Sequence, residues 1–359
     1  MAATINVVEP TLTSQAGHCY SFVSALCKAS DEAGVLRLWV GRHAELAFPE
    51  KNIQVRRYFF RRIRRLQGYW LYKQLLATPG KIFVSTAGRT DLMLLDWAAQ
   101  GVIPPEKAYL YFHWSNTNDK KFAGLQQMAC KQPNLVIFGP TASVVNIFQD
   151  AGFGNARVIP YPISQPAVEQ QAASKGFSHL LYAGAARQDK GFTQVVDLVA
   201  YLRGQGIEAP ITMQISGEHY GKYDAATRAD IRRLQAIAYP QLQLLPETLD
   251  PEEYVKLFAG AICLQLYQPS DFADRISGVT LDAFSAGSPV VATAGTWIAR
   301  MAQRFDAGVA VEDTAPARIW SAVQQVMAEY ARYNRNACAA GSTLQEENSA
   351  QILYQALAD

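Results

Sequence analysis

The chain has 359 residues, 49% of them hydrophobic and 18% charged, with a net charge of +2. That is more chain than one compact core serves, so two domains of roughly 150 to 200 residues each are expected. No run of about 18 apolar residues occurs to span a bilayer, and no basic region followed by an apolar one marks a signal sequence. The five cysteines (Cys19, Cys27, Cys130, Cys263 and Cys338) are scattered without CxxC pairing, which argues against a disulfide framework or a zinc site and for a cytoplasmic protein.

Short β-rich runs alternate with amphipathic stretches along the whole chain, the pattern of parallel sheets covered by helices on both faces. In the first half, strands are predicted at Thr4–Val8, Val35–Val40, Lys81–Ser85, Ala108–Phe112, Leu135–Phe138 and Arg157–Ile159. The loop E-P-T-L-T-S-Q-A-G-H-C-Y follows the first strand, so Gly17 and His18 fall on the side where parallel sheets gather ligands. His113 leaves the Ala108–Phe112 strand on that same side, as a cleft residue or as a histidine packed on Trp114. Thr141 is placed to cap a helix that ends near Gly152, and V-I-P-Y-P-I at 158–163 closes the half with prolines.

Charge is uneven between the halves. Residues 1–162 hold 18 basic and 10 acidic side chains, whereas 163–359 hold 15 and 21, so the halves carry +8 and −6. The asymmetry points to an anionic partner for the first half. Its source is 51–90, with ten Lys or Arg and no Asp or Glu. Residues 56–76 can be wound as a helix with Phe59, Ile63, Leu66 and Trp70 on one stripe and Arg57, Arg61, Arg64 and Arg65 around it. Such a helix fits an anionic bilayer surface. A stripe packed on its own sheet with the arginines in water is the bland alternative. Nucleic acid is a third option, but no recognised RNA or DNA module surrounds these residues.

The second half restarts with a strand at 179–182, a helix from Gly191 to about Gly204 and strands near Ile211–Ile215 and Leu242–Leu244. A helix at Pro251–Phe258, strands at Ala261–Leu266 and Pro289–Ala292 and a helical region from Ala315 complete it. Two segments could carry chemistry. In D-R-I-S-G-V-T-L-D-A-F-S-A-G-S-P-V-V, Asp274 and Asp282 are separated by seven residues. Ser277 and Gly278 open a helix there, so N-H groups at Gly278 and Val279 and the helix dipole attract phosphate. Asp282, about a turn inside, can accept two hydrogen bonds from a ribose. A turn, a solvated acid and an ordinary C-cap at Ala286-Gly287 make the plain reading. The second segment is A-G-A-A-R-Q-D-K-G-F at 183–192, where Arg187 and Lys190 sit at a helix start. Cations there oppose the dipole, so a bound anion or mere solvation must account for them.

The first segment resembles the acidic-x7-acidic motif of the retaining GT-B glycosyltransferases of family 4, where both acids are usually Glu. The second resembles their G-R-x-x-x-x-K-G, with Gly184, Lys190 and Gly191 in place and Ala185 where the arginine stands. The V-I-P exit resembles the family's V-I-P-N-G-V interdomain crossing, and only Gly17 remains of its Gly-rich first loop. The resemblance implies an α/β, GT-B fold of two doubly wound Rossmann-like domains facing a central cleft. It divides the chain into an acceptor-side domain at 1–163, a nucleotide-sugar domain at 164–335 and a C-terminal helix at 336–359 that returns to the first domain.

It also implies roles. Lys190 and Arg187 meet the donor diphosphate, Asp282 the ribose, and Ser277, Gly278, Val279, Gly184 and Gly17 line the nucleotide. His113 lies beside the donor sugar. Asp274 meets its hydroxyls, with one residue more than the family's P-S-x-x-E allows after Pro269-Ser270, and Asp271 is the other candidate. No D-x-D occurs, so neither a metal nor another cofactor is expected besides the donor. The implied activity is retaining transfer from a nucleoside diphosphate sugar to a hydroxyl of a glycan or lipid-linked envelope precursor, with the protein peripheral on the inner membrane face. A GT-B sugar-nucleotide epimerase and a non-catalytic nucleotide-sugar-binding protein are the alternatives.

Overall fold

The computed structural model describes residues 4–15, 18–30, 34–115, 118–163, 176–215, 224–247 and 249–358. These form two compact units, Met1–Gln165 with Gln345–Asp359, and Pro166–Leu344. The expected boundary at 163/164 adjoins a stretch outside the described residues, and Gly17 itself lies outside them.

The first unit is a parallel sheet of β1 (Thr4–Glu9), β2 (Val35–Gly41), β3 (Ile53–Phe59), β4 (Lys81–Val84), β5 (Ala108–Tyr111), β6 (Val136–Gly139) and β7 (Ala156–Val158). Their order is β3-β2-β1-β4-β5-β6-β7. Strands buried on both faces need apolar residues at consecutive positions, and Ile5, Val7 and Val8 of β1 are each 3% exposed or less. Alternate residues feed opposite faces. Ile5 and Val7 join Phe22, Leu26, Leu353 and Leu357, while Val8 joins Leu71, Tyr72, Leu95 and Phe148. Asn6, the polar residue between them, donates to the Lys81 carbonyl at 3.2 Å and accepts from Trp39 Nε1 at 3.1 Å, which satisfies it inside the sheet.

One expected element is overturned. Residues 56–76 do not form one helix, because Ile53–Phe59 is the edge strand β3, paired to β2 from Leu36↔Ile53 to Gly41↔Phe59. The helix begins only at Arg64 and runs to Leu76. Gln67 pins the turn between them, donating to the Tyr58 carbonyl at 2.8 Å and accepting from the Phe60 N-H at 2.7 Å. Gly68, Leu71, Tyr72 and Leu75 face the core. Of the expected stripe, Phe59 is 3% exposed and joins the core, whereas Ile63, Leu66 and Trp70 are 49%, 58% and 54% exposed, as is Phe60 at 45%, so only Phe59 packs inward.

The second unit has β8 (His179–Tyr182), β9 (Ile211–Gln214), β10 (Leu242–Leu245), β11 (Ala261–Gln265), β12 (Val290–Thr293) and β13 (Gly308–Val311). Their order is β10-β9-β8-β11-β12-β13, again all parallel. Helices Phe192–Gly204 and Pro316–Ala328 cover one face through Val195, Val199, Ile319 and Val323, all fully buried. The C-terminal helix expected from about Asn336 is instead Tyr330–Glu347 followed by Ala350–Ala358. Within the second unit, Gly341 lets the former pass the helix Gly278–Ser285, since a Cβ there would meet the Phe284 carbonyl oxygen at 2.6 Å. No helix of the described residues is long and apolar enough to cross a membrane.

Candidate functional site

Both sheets have a switch point where strand order reverses, β1/β4 in the first unit and β8/β11 in the second. Ligands of open α/β sheets bind beyond the carboxyl ends of strands at such points.

At the second switch point the chain leaves β8 at Gly184, whose φ of +107° is open to glycine but strained for other residues. The Gly184 N-H is held by Gln214 Oε1 at 2.9 Å, from the end of β9. A Cβ built on Gly184 would lie 3.4 Å from Lys190 Nζ and 4.0 Å from Val279 Cγ2, so the two motifs meet at this glycine. Gly191 holds the turn that delivers Lys190, with φ +71° and Leu266, the residue just past the end of β11, pressed against its backbone.

Lys190 is partly buried, and its ammonium lies 5.6 Å above the Tyr267 ring. Among the described residues it has no hydrogen-bond acceptor and no ion pair. Burial pushes its pKa down to about 8, Arg187 and Arg275 push the same way, and Asp189 and Asp282 oppose them. Ser277 caps the helix Gly278–Ser285 by accepting from the Thr280 N-H at 3.3 Å. The N-H groups of Gly278 and Val279 have no partner among the described residues. The Tyr267 hydroxyl is buried and lacks a hydrogen-bond partner of good geometry, although Ser277 lies beside it.

Asp282 sits on the second turn of that helix and accepts from Tyr254 Oη at 3.3 Å. Surrounding protein pushes its carboxyl up to about 7, with Tyr254 and Lys190 pulling it back. The residue as a whole remains exposed to water. Asp274 is elsewhere engaged, paired to Arg300 at 2.7 Å. Asp271 accepts from the neighbouring Ser270 hydroxyl at 3.1 Å. Arg187 is folded onto Asp189, with Nε to Oδ1 at 2.8 Å and its Nη2 closing the second contact.

At the first switch point Glu9, 1% exposed, ends β1. Its carboxylate accepts from Thr11 Oγ1 at 2.5 Å and from Ser85 Oγ, just beyond β4, at 2.8 Å. His113 Nε2 donates to the Ser85 carbonyl at 2.8 Å, which places the proton on that nitrogen. The ring is packed by Phe22, Tyr111 and Tyr161 at 5.0, 5.1 and 5.5 Å. Cys19 contacts Thr11 and Thr86 here, and burial pushes its thiol up to about 12, which makes it inert.

Of the residues singled out from sequence, Lys190, Gly184, Ser277, Gly278, Val279 and Asp282 converge in the second unit, and His113 belongs to the first. Arg275, Tyr254 and Tyr267, and in the first unit Glu9 and Ser85, were not foreseen. For Glu9 and Ser85 a signal existed, since both are polar residues at the carboxyl ends of predicted strands, Glu9 just past Thr4–Val8 and Ser85 closing Lys81–Ser85.

No family model and no curated protein matches the chain. Solved structures do. An E. coli trehalose-6-phosphate protein bound with UDP-2-fluoro glucose superposes with a TM-score of 0.70 at 12% identity, covering 99% of each chain. Anabaena Alr3699/HepE in complex with UDP-glucose gives 0.68 at 14%, over 99% of this chain and 98% of that one. WaaG, a glycosyltransferase involved in lipopolysaccharide biosynthesis, gives 0.66 at 12% over 98% of each. The two doubly wound sheets, their strand orders and these superpositions identify the architecture of this chain as the GT-B fold.

Proposed function

We propose that the protein is a glycosyltransferase that takes a sugar from a nucleoside diphosphate sugar, and that the second unit holds the donor. One observation carries this reading: Lys190, a partly buried ammonium without a hydrogen-bond acceptor among the described residues, meets Gly184 and the unpartnered N-H end of a helix at the switch point. Cation, dipole and open N-H groups converge there, which costs stability unless an anion completes the set. A diphosphate supplies that anion, and Asp282, one turn further on, is placed for two ribose hydroxyls. The solved proteins of the same fold bound to UDP-glucose or its fluoro analogue support a nucleotide sugar as the ligand.

As the anomeric C–O bond breaks, negative charge grows on the departing diphosphate oxygen. Lys190 and the N-H groups of Gly278 and Val279 stabilise that charge more strongly than they stabilise the ground state, which is how such a site accelerates the step. These groups supply the positive charge, so the proposal includes no divalent ion. Retention at the anomeric carbon and membership of family 4 rest on the motif resemblance alone. Incubating the protein with a panel of UDP and GDP sugars tests the reaction class. Slow release of free sugar with retained configuration is expected; an epimerised nucleotide sugar points to an epimerase, and binding without any turnover points to a binding protein.

We also assign the acceptor to a lipid-linked or envelope glycan, presented at an anionic membrane surface. The support is the outward-facing set Phe60, Ile63, Leu66 and Trp70 interleaved with the exposed Arg61, Arg62, Arg64 and Arg65. At about 1 kcal/mol per basic residue near such a surface, discounted for salt, changing all four arginines to Gln is expected to weaken binding to phosphatidylserine vesicles at least tenfold. Undiminished co-sedimentation of the quadruple variant with those vesicles contradicts the membrane assignment.

A further inference from the structure

We infer that Tyr254 is a positioning residue of the donor site, holding the Asp282 carboxylate for the ribose hydroxyls so that the site selects ribonucleotides; this rests on the donor reading above. Tyr254 lies in the helix Pro251–Lys256, whose N-cap Asp250 accepts from the Glu253 N-H at 2.9 Å. The Tyr254 N-H donates to the Asp250 carbonyl at 2.9 Å, so the backbone beneath the side chain is pinned. Its ring packs edge-on to Phe258 at 5.2 Å, and Phe258 is fully buried. From that seat the hydroxyl donates to Asp282 Oδ2 at 3.3 Å, joining two helices across 28 residues of chain.

Among the described residues the Tyr254 hydroxyl has no other hydrogen-bond partner, and Asp282 Oδ1 has none. No Lys or Arg pairs with Asp282 there either, in contrast to Asp274, which Arg300 holds. One carboxylate oxygen is therefore anchored and the other is left for a ligand. Anchoring removes rotamers that ligand binding would otherwise have to freeze. An ionised carboxylate accepts hydroxyls more strongly than a neutral acid does, so its protonation state matters. Burial pushes Asp282 up to about 7, and Tyr254 and Lys190 hold it down. Cys263, which also senses Asp282, is a thiol pushed up to about 12 and stays neutral. Burial and Asp282 drive the Tyr254 phenol well above its ordinary value, so it remains a donor at neutral pH. Removing that donor raises the Asp282 pKa further.

The test is titration of the full chain with UDP, GDP and their 2′-deoxy and 3′-deoxy counterparts, for wild type, Y254F, D282N and the double variant, between about pH 5.5 and 8.5. The ratio of ribo to deoxy affinity cancels titration of the phosphate, which both ligands share. Wild type is expected to prefer the ribonucleotide roughly tenfold, the worth of a charge-assisted bond, with the preference fading as pH falls and Asp282 is protonated. Y254F keeps the ring and its packing, cuts the preference about threefold or more at neutral pH and moves the fading to higher pH. D282N loses the preference, and adding Y254F to it changes nothing further. A ratio and pH profile in Y254F equal to those of wild type make Tyr254 a mere tie between helices and overturn the assignment, as does a wild type without ribose preference. Should Y254F fail to fold, meta-fluorotyrosine at position 254, a stronger donor, decides: the fading moves to lower pH, and an unmoved profile overturns the assignment. Wild type that binds neither UDP nor GDP overturns the donor reading and this assignment with it, a result distinct from all of these.

Discussion

Lys190→Ala is expected to lower turnover by roughly two to three orders of magnitude, about 3 to 4 kcal/mol in the activation barrier, with a smaller change in KM. The ammonium works in surroundings that lower its pKa to about 8, so it is poorly solvated and interacts strongly with charge that develops on the leaving group. The same feature predicts a cost in the ligand-free protein. The folded-state pKa lies below the ordinary lysine value of 10.5. Between those two values the unfolded chain binds more protons, so the unfolding free energy rises with pH across that window, and at neutral pH the charged lysine destabilises the empty site. Lys190→Met keeps the aliphatic stem and removes the charge. Its melting temperature is expected to rise by the equivalent of about 1 to 3 kcal/mol while activity is lost. Equal turnover of wild type and Lys190→Ala removes this lysine from the mechanism.

Gly191→Ala is expected to cost about 3 kcal/mol or more in urea unfolding and to abolish nucleotide binding. The backbone at Gly191 has φ +71°, and a Cβ would stand 2.1 Å from the Leu266 carbonyl oxygen and 2.6 Å from its carbon. Neither obstacle is a side chain that can swing aside. Relief requires the strand end after β11 to move, and that segment carries Tyr267, the platform beneath Lys190. Gly204 is the control, because nothing lies within 4 Å of a Cβ there. Gly204→Ala in its helix is expected to leave stability unchanged or raise it by up to about 1 kcal/mol. Similar losses at both positions would show that close approach at Gly191 is not what the turn requires.

Much of the architecture was legible because parallel strands buried on both faces need near-continuous apolar runs, and I-N-V-V, I-F-V and A-I-C-L supply them with Asn6 as the one interior polar residue. The edge strand β3 was hidden. Its burial alternates only partly and its Arg56-Arg57 pair faces outward, so the run blended into the basic residues that follow. Phe59, Ile63, Leu66 and Trp70 then fitted a helical period by coincidence, although Phe59 ends a strand and the other three point away from the core. β13, G-V-A-V at the opposite edge of the second sheet, was missed because two of its four residues are Gly and Ala, which carry little strand signal.

The site divides along the same line. Lys190, Gly184 and Asp282 were visible because each motif lies within one local strand-turn-helix unit. Tyr254 was not, since it reaches Asp282 from a separate helix 28 residues earlier in the chain. Arg187 is the guanidinium nearest in the chain to the missing motif position, yet Asp189 two residues away claims it. Arg275 acts on Lys190 from a segment far along the chain, a tertiary proximity that spacing in the sequence does not encode.

Calorimetric titration of wild type and Lys190→Ala with UDP and GDP tests the donor site most directly. One of the two diphosphates is expected to bind wild type and to lose at least about tenfold in affinity in the variant. Binding of neither nucleotide to wild type, or equal affinity in both proteins, contradicts a diphosphate seated on Lys190.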